Sequence, residues 1–293
     1  QYSGMGKELY ETSPAAKRVF DLADTIREGT SAQCFTGTKE ELTQTKNTQP
    51  CLYCVSNAAA YALEEGGVSP DMLAGFSLGE VSALAFSGAA SLEDGFLLVC
   101  RRGELMQQAA EQVSSAMVAV VSLSNETVEG LCAKYSHMYP VNYNCPGQLV
   151  VAGAQEEIAL FKDDIKAAGG RAIPLAVSGG FHSPFMAEAA HEFAGVLENF
   201  SVGAPKIPLY SNYTAGLYGD NPKELLAKQI KNPVRWQKII EEMIAAGADT
   251  FIEVGPGKTL SGFIAKISGQ VRTFHVEDKE TLKSTIKAVK ENA

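Results

Sequence analysis

Residues 72–80, Met-Leu-Ala-Gly-Phe-Ser-Leu-Gly-Glu, contain the local pattern that decides the fold. The apolar run Met72–Gly75 predicts a short strand, and the small residues after Gly79 predict a helix. The pattern Gly-x-Ser-x-Gly between them is typical of a serine on a tight strand-to-helix turn, with its hydroxyl at the helix N-terminus. The helix dipole and the free N–H groups there favour an oxyanion. We therefore predict that Ser77 is a nucleophile, with an ordinary turn residue as the alternative.

A serine nucleophile needs a base, and the chain contains four histidines. His182 follows two glycines and directly precedes a Ser-Pro helix start, so it lies in a loop from which a side chain can point into a cleft. His137 lies at a turn, His191 lies within a helix among acidic residues, and His275 lies inside an apolar strand. His182 is therefore the predicted base, and a capped loop histidine is the alternative interpretation.

One arginine is predicted to face inward. The helix that begins with the capping box at Ser91 carries Arg102 on its apolar face, which it shares with Leu98, Val99, Leu105 and Met106. A guanidinium on that face needs a carboxylate or similar partner. Spacing leaves two alternatives open, a structural Asp or Glu and the carboxylate of a ligand.

The pattern along the chain predicts an α/β fold. A chain of 293 residues suggests two domains or one large domain with an insertion. A mostly helical part, in which Gln49-Pro50 is expected to open a helix that runs to Leu63, gives way to strand, helix, two strands, helix and strand. This is the ferredoxin-like order. We predict an α/β-hydrolase-like catalytic domain formed by residues 1–112 and 178–293, with a ferredoxin-like small domain of residues 113–177 inserted in it.

Composition and charge exclude several classes of protein. Twenty-five Lys and Arg against 34 Asp and Glu give a net charge of −9 without a basic run, so nucleic acid is a poor partner. No apolar stretch approaches the ~18 residues of a membrane span, so no membrane partner is expected. Six cysteines are too few for a disulfide framework and are expected to be free thiols in a reducing cytoplasm.

Three sequence patterns for metal or cofactor binding are absent or incomplete. Cys51 and Cys54 lack a second metal-binding pair at zinc spacing. Gly255–Thr259 ends like a phosphate-binding loop, but Ile252 stands where that motif requires its first glycine. No Gly-x-Gly-x-x-Gly opens a helix after a strand. The sequence therefore predicts no metal site and no tightly bound cofactor.

Eight segments together resemble one family over nearly the whole chain: the malonyl-CoA:acyl-carrier-protein transacylases of fatty-acid synthesis, related to acyltransferase domains of polyketide synthases. The similar segments are QYSGMG at 1–6, TQP at 48–50, GFSLGE at 75–80, RRGELMQ at 101–107, NCPGQ at 144–148, GFHS at 180–183, and the pair QIKNPVRW at 229–236 and EVGPGK at 253–258.

The resemblance implies a ping-pong transfer through a malonyl ester of Ser77. His182 would be the base, oriented by the backbone carbonyl of Gln229 instead of a triad aspartate. The N–H groups of Leu78 and Gln1 would form the oxyanion hole. The implied substrates are malonyl-CoA and the phosphopantetheine thiol of acyl carrier protein.

The resemblance also implies which residues bind the acyl group. Arg102 would hold the malonyl carboxylate as a bidentate pair. Asn144 and Phe181 are assigned to the substrate site, and Phe181 is expected to disfavour an α-branched acyl group such as methylmalonyl.

Two departures from the family pattern are expected to matter to the cleft. Phe76 replaces the usual histidine beside the nucleophile and changes the cleft wall. The sequence begins inside the family's opening motif, so residues upstream are expected to be missing, and a free Gln1 terminus would present an ammonium in place of an amide.

The partner implied by the resemblance is acidic. Acyl carrier proteins of this pathway are typically acidic, so docking is expected on a local basic patch, with Arg171 and Lys266 as candidates. A cytoplasmic monomer is expected.

Three alternatives remain open. A serine thioesterase or hydrolase of α/β-hydrolase type requires a histidine after the last strand, and only His275 lies late enough in the chain. A polyketide-pathway acyltransferase would use another extender unit. A non-catalytic binding domain of the same fold is disfavoured because Ser77, His182 and Arg102 are all present.

Overall fold

The computed structural model describes residues 1–177 and 179–291. Residue 178, where the second segment of the large domain is predicted to begin, and residues 292 and 293 lie outside them. The helices are α1 (Lys7–Thr12), α2 (Pro14–Ile26), α3 (Thr30–Thr36), α4 (Lys39–Thr43), α5 (Thr45–Glu65), α6 (Leu78–Phe86), α7 (Leu92–Gln112), α8 (Asn125–Cys132), α9 (Gln155–Ala167), α10 (Ala187–Leu197), α11 (Pro222–Ile230), α12 (Trp236–Ala245), α13 (Thr259–Ile267) and α14 (Lys279–Lys290).

The strands are β1 (Leu73–Ala74), β2 (Ser115–Val121), β3 (Met138–Cys145), β4 (Gln148–Ala154), β5 (Arg171–Pro174), β6 (Leu209–Tyr210), β7 (Thr250–Val254) and β8 (Arg272–Val276). A single 3₁₀ turn, Pro184–Met186, precedes α10. The architecture is mixed α/β, as the sequence predicts.

The large part of the molecule packs helices around short parallel strands. Helices α5, α6, α7 and α10 supply most of one apolar core, which includes the buried rings of Phe20, Phe96 and Phe193. Strand β1 pairs with β6 in parallel over two residues, and β7 pairs with β8 in parallel over five. Among the described residues, the strands of this part therefore form two separate parallel pairs and no continuous sheet.

The small part is a four-stranded antiparallel sheet with the order β3-β4-β2-β5. One face packs against α8 and α9 through residues such as Val118, Val151 and Phe161. The opposite face is smaller and apolar, and it includes Val141 and the side chain of Phe181 from the large part.

A short extended segment joins the two parts. The N–H of Val234 donates to the carbonyl of Val141 at 2.8 Å, and the N–H of Tyr143 donates to the carbonyl of Val234 at 3.0 Å. The next N–H, of Arg235, donates to the carbonyl of Asn212 at 3.0 Å. Residue 234 thus adds to the free edge of β3 while its neighbour is anchored in the large part.

The prediction that a helix opens at Gln49-Pro50 is wrong by one turn. Helix α5 begins at Thr45, and Pro50 lies inside it. The N–H of Thr45 donates to the side-chain oxygen of Gln107 at 3.1 Å. A contact from α7 therefore stabilises the first turn, which the local sequence does not reveal.

Two further features bear on the sequence-based expectations. The six cysteines are free, and all except the half-buried Cys100 are buried. Among the described residues, no helix combines the length and apolar character needed to cross a membrane.

Candidate active site

Ser77 lies on a strained turn between β1 and α6. Its backbone angles are φ 54° and ψ −111°, a conformation that costs energy for a residue with a side chain. A Cβ atom at Gly75 would lie 2.0 Å from the carbonyl carbon of Gly79, so only glycine fits there. Asn212 fixes both sides of the turn: its Oδ1 accepts from the Ser77 N–H at 2.8 Å, and its Nδ2 donates to the Gly75 carbonyl at 2.6 Å.

Ser77 and His182 form a hydrogen-bonded pair. Ser77 Oγ lies 2.8 Å from His182 Nε2, and His182 Nδ1 lies 2.9 Å from the backbone carbonyl of Gln229. Because a carbonyl only accepts, Nδ1 must carry the proton, which leaves Nε2 free to accept from the serine. Burial, and after it the positive charge of Arg102, lower the pKa of His182 to about 4. The histidine is therefore neutral and able to act as a base at neutral pH.

The guanidinium of Arg102 lies beside the nucleophile. Arg102 is 1 % exposed. Its Nη2 donates to the side-chain oxygen of Gln229 at 2.7 Å and lies 3.3 Å from Ser77 Oγ, while Nη1 donates to the side-chain oxygen of Gln49 at 2.7 Å. Burial lowers its pKa to about 10, so it remains charged. One of the two alternatives for Arg102 is a structural Asp or Glu as its partner. Among the described residues, no carboxylate lies in ion-pair contact with the guanidinium.

Four buried polar side chains lie beneath this group, and we call them the polar floor: Glu80, Asn212, Tyr218 and Gln229. Glu80 Oε1 accepts from the Tyr218 hydroxyl at 2.5 Å and from the Asn212 N–H at 3.2 Å. Glu80 Oε2 accepts from Gln229 Nε2 at 2.9 Å. The same nitrogen lies 2.7 Å from the Ser77 carbonyl, so the floor connects directly to the turn.

The two predicted oxyanion donors differ in position. Leu78 is the first residue of α6, and its N–H has no acceptor among the described residues. Gln1 is exposed and makes no hydrogen bond to any described residue. Tyr2 holds the segment in place, since its hydroxyl donates to Glu277 at 2.7 Å. The structure therefore places the Leu78 donor at the nucleophile and does not join Gln1 to it by a hydrogen bond.

The other two predicted acyl-site residues, Phe181 and Asn144, lie toward the small part. Phe181 is half-buried and contacts both the large core and the inner face of the small sheet. Asn144 lies on β3 and is buried, and its Oδ1 has no partner among the described residues. Asn142, two residues earlier on the strand, has an equally unpaired Oδ1. Phe76, beside the nucleophile, packs edge-on against Trp236 at 5.6 Å between ring centroids.

The other histidines lie away from this group. His137 and His191 are exposed, and His275 lies within β8 near Glu277, at 3.6 Å. Among the described residues, no cluster of His, Cys, Asp and Glu could hold a metal ion.

Sequence reasoning missed Gln49, Glu80, Asn212, Tyr218 and the side-chain role of Gln229. Gln49 lies in the TQP segment and Glu80 ends the GFSLGE segment, so both were within quoted motifs. Asn212 and Tyr218 carry no local signal, because their contacts with Glu80 join positions more than 130 residues apart.

Comparisons with known proteins identify the family of this chain. A family model described as an acyl transferase domain matches residues 1–284. A malonyl CoA-acyl carrier protein transacylase of Bacillus subtilis (strain 168) is 41% identical over 299 residues, covering 99% of this chain and 94% of the relative.

Solved structures are similar over the same length. The malonyl CoA-acyl carrier protein transacylase of Clostridium perfringens has a TM-score of 0.96 at 38% identity, covering 99% of this chain and 94% of that one. A malonyl-transacylase in complex with a type II PKS acyl-carrier protein has a TM-score of 0.94 at 34% identity, covering 98% of this chain and 96% of that one.

Proposed function

Because the chain belongs to the acyl transferase family, we propose that it moves a malonyl group from coenzyme A to the phosphopantetheine thiol of acyl carrier protein. The observation that carries the proposal is the 3.3 Å distance between Arg102 Nη2 and Ser77 Oγ, in a site where Ser77 is already hydrogen-bonded to a neutral histidine. A three-carbon dicarboxylic acyl group on Ser77 is short enough to return its free carboxylate to that guanidinium.

The first half-reaction acylates Ser77. His182 Nε2 takes the hydroxyl proton while Ser77 Oγ attacks the thioester carbon, and the N–H of Leu78 stabilises the oxyanion, with Gln1 as the second predicted donor. The carbon–sulfur bond then breaks, and the imidazolium returns the proton to the coenzyme A thiolate. Ser77 now carries the malonyl ester and His182 is neutral again.

The second half-reaction transfers the malonyl group from Ser77 to the carrier protein. The phosphopantetheine thiol gives its proton to His182 and attacks the ester carbon. The ester bond to Ser77 breaks, and its oxygen recovers the proton from the histidine. No step requires a metal ion or a tightly bound cofactor.

Arg102 binds the acyl group by exchanging partners. It donates to the carboxamide oxygens of Gln49 and Gln229, which are neutral acceptors. A malonyl carboxylate is a stronger acceptor for a guanidinium than a carboxamide is, and a planar fork can bind it through two parallel hydrogen bonds. The site therefore favours a charged acyl group over acetyl.

We infer the domain organisation from the strand order. The antiparallel order β3-β4-β2-β5, with α8 and α9 on one face, supports a ferredoxin-like small domain of residues 113–177. The strained serine turn before α6 supports a hydrolase-like catalytic domain formed by residues 1–112 and 178–293.

The carrier protein is proposed to dock at one end of the small sheet. Arg171 is paired with Val121 across β2 and β5, and Val121, Gln148 and Cys145 continue the same row to β3. The positive charge of Lys266 acts on Cys145, where it opposes the rise in pKa that burial causes. The row from Arg171 to Cys145 spans three strand spacings, about 14 Å, and the exposed Lys266 is close enough to Cys145 for its charge to act there, which places both cations at the same end of the sheet.

The decisive experiment is acylation without a carrier protein. Incubation with malonyl-CoA followed by intact-mass measurement is expected to give one malonyl adduct, which is absent from the variant Ser77→Ala. Added carrier protein bearing phosphopantetheine should remove the adduct, whereas carrier protein without that group should not. Release of free malonate at the same rate with either form would instead identify a thioesterase, and an adduct that persists in Ser77→Ala would contradict the proposal.

A further inference from the structure

Arg102 has no direct anionic partner among the described residues, yet its charge is balanced. The carboxamide of Gln229 lies between Arg102 and Glu80: its Oε1 accepts from Arg102 Nη2 at 2.7 Å, and its Nε2 donates to Glu80 Oε2 at 2.9 Å. Glu80 is fully buried. A buried cation and a buried anion are thus joined through one neutral amide.

The hydrogen bonds of Glu80 are those of an ionised carboxylate. The backbone N–H of Asn212 can only donate, and Gln229 must donate from Nε2 because its oxygen is occupied by Arg102. The Tyr218 hydroxyl donates to Glu80 as the third partner. Two groups that can only donate and a hydroxyl placed to donate favour the ionised carboxylate.

We propose that Glu80 is a positioning residue for acyl transfer, acting as the counter-anion of Arg102 and, through Gln229, holding His182 against Ser77. The coupling follows from Gln229, whose backbone carbonyl orients His182 and whose carboxamide connects Arg102 to Glu80. Loss of the Glu80 carboxylate removes one of the acceptors that fix Gln229 Nε2, beside the Ser77 carbonyl, in the residue whose own carbonyl orients the base. The kinetic part of this inference rests on the proposed function.

The charge state of Glu80 changes near neutral pH. Burial raises its pKa to about 7, against the opposing effects of the hydrogen bonds from Tyr218, Asn212 and Gln229 and of the charge of Arg102. Of the titratable groups that face this network, Arg102 stays charged, Tyr218 stays neutral because burial raises its pKa, and the pKa of His182 lies at about 4. Glu80 alone in the network titrates near pH 7.

The test measures the rate of malonyl-ester formation against pH in the whole protein. The parent is expected to lose activity as the pH falls through about 7, because protonation of Glu80 removes the counter-charge of Arg102 and weakens the hydrogen bond that Glu80 accepts from Gln229. The substitution Glu80→Gln should lower the rate by about 10- to 100-fold, as a displacement of roughly 1 Å in a reacting group does, and should abolish this pH dependence. In parallel, infrared difference spectra of the ligand-free protein should show one carboxyl group that titrates near pH 7 and is absent from the variant.

Tyr218→Phe keeps the test valid if Glu80→Gln does not fold. Loss of the hydroxyl removes a donor to the carboxylate, so the midpoint should move to higher pH. Tyr53→Phe is the matched control, since Tyr53 is also buried and donates to the carbonyl of Leu92 at 2.8 Å, within the large core. It should leave the midpoint unchanged.

Three outcomes would overturn the inference: a parent profile without a midpoint near pH 7, a midpoint that survives in Glu80→Gln, or equal midpoints in the two tyrosine variants. A parent that forms no malonyl ester would instead contradict the proposed function. In that case the infrared titration of the ligand-free protein would still test whether Glu80 changes its charge near pH 7.

Discussion

The residues beneath Ser77 and those on strand β3 differ in how their buried polar atoms are paired. In the polar floor, both carboxylate oxygens of Glu80 and the carboxamide of Gln229 have partners within 3.3 Å. On β3, Asn142 and Asn144 are also buried, but each has a carboxamide oxygen without a partner among the described residues. An unpaired buried acceptor costs about 1–3 kcal/mol. The asparagine oxygens on β3 therefore destabilise the substrate-free protein, whereas the paired atoms of the polar floor do not.

This difference separates two tasks. The charge that develops in the transition state is stabilised best by groups that are already oriented, because their reorientation during the reaction would cost free energy. Binding of a substrate, in contrast, requires donors and acceptors that are not already hydrogen-bonded to other groups of the protein. Substitutions in the paired region should therefore alter the chemical step, and those in the unpaired region should alter substrate binding.

The largest effect is expected at the base in the paired region. His182→Ala should lower kcat by about 10²- to 10⁴-fold, since it removes the group that accepts the serine proton. Stopped-flow acylation by malonyl-CoA measures the loss, and His191→Ala, on the exposed face of α10, is the control. Because the pKa of His182 lies at about 4, its protonation should not limit the parent until the pH approaches that value.

The next effect concerns the charge of the acyl group. Arg102→Ala should lower kcat/KM for malonyl-CoA strongly, because each hydrogen bond to a charged group contributes about 1.5–3 kcal/mol. Transfer from acetyl-CoA should improve relative to malonyl, and Arg102→Lys should rescue little because it lacks the planar fork. Arg101→Ala is the control, since this neighbouring arginine is exposed and pairs with Glu104. An equal loss with both substrates would make Arg102 a purely structural residue.

A smaller effect is expected at the boundary between the two regions. Phe181→Ser should raise kcat/KM for methylmalonyl-CoA relative to malonyl-CoA, because the space left by the ring can hold the extra methyl group. The change in discrimination should stay within about 1–3 kcal/mol. Competition between the two thioesters, scored by the mass of the adduct, gives the ratio directly. Phe185→Ser, which removes a ring packed on Tyr139, should leave the ratio unchanged.

Substitution of Asn144 in the unpaired region should alter binding alone. Asn144→Ala is expected to raise KM for malonyl-CoA about two- to tenfold, the range of one neutral hydrogen bond of about 0.5–1.5 kcal/mol, with kcat unchanged. Thermal stability should fall no further than in Asn199→Ala, an exposed control, because the lost oxygen has no protein partner. A fall in kcat at constant KM would assign Asn144 to the chemical step and remove the distinction between the regions.

The smallest effect is expected at the docking surface. Arg171→Glu combined with Lys266→Glu should raise KM for the carrier protein a few-fold and flatten its dependence on salt, since charges at the rim of an interface act mainly on association. Lys283→Glu on α14 is the control. Unchanged values for the double variant would place the basic patch elsewhere.

Local sequence patterns predict the residues with local contexts. Ser77 follows from its turn, His182 from its loop, and Arg102 from the apolar face of α7, although its spacing could not choose between a structural and a ligand partner. Glu80 illustrates what these patterns leave out. It lies in the first turn of a helix, where an acidic residue usually needs no explanation beyond the helix dipole.

The burial of Glu80 depends on residues far along the chain. Tyr218 and Gln229 reach it across 138 and 149 positions, and no periodicity in the sequence encodes those contacts. The sheet of the large part was also predicted incompletely, because a strand of two residues such as β6 leaves almost no alternation to detect. For the same reason the pairing of residue 234 with β3 was not foreseen.

The pairing of Val234 with β3 affects how the protein unfolds. Val234 exchanges hydrogen bonds with the edge of the small sheet, and the adjoining Arg235 amide is bound to Asn212 beneath the nucleophile. The segment makes the two parts a single cooperative unit, in which the small sheet cannot detach without exposing the amides that secure the floor. Amide protons of Tyr143, Val234 and Arg235 should therefore exchange with solvent at one common free energy, as members of one foldon rather than of two.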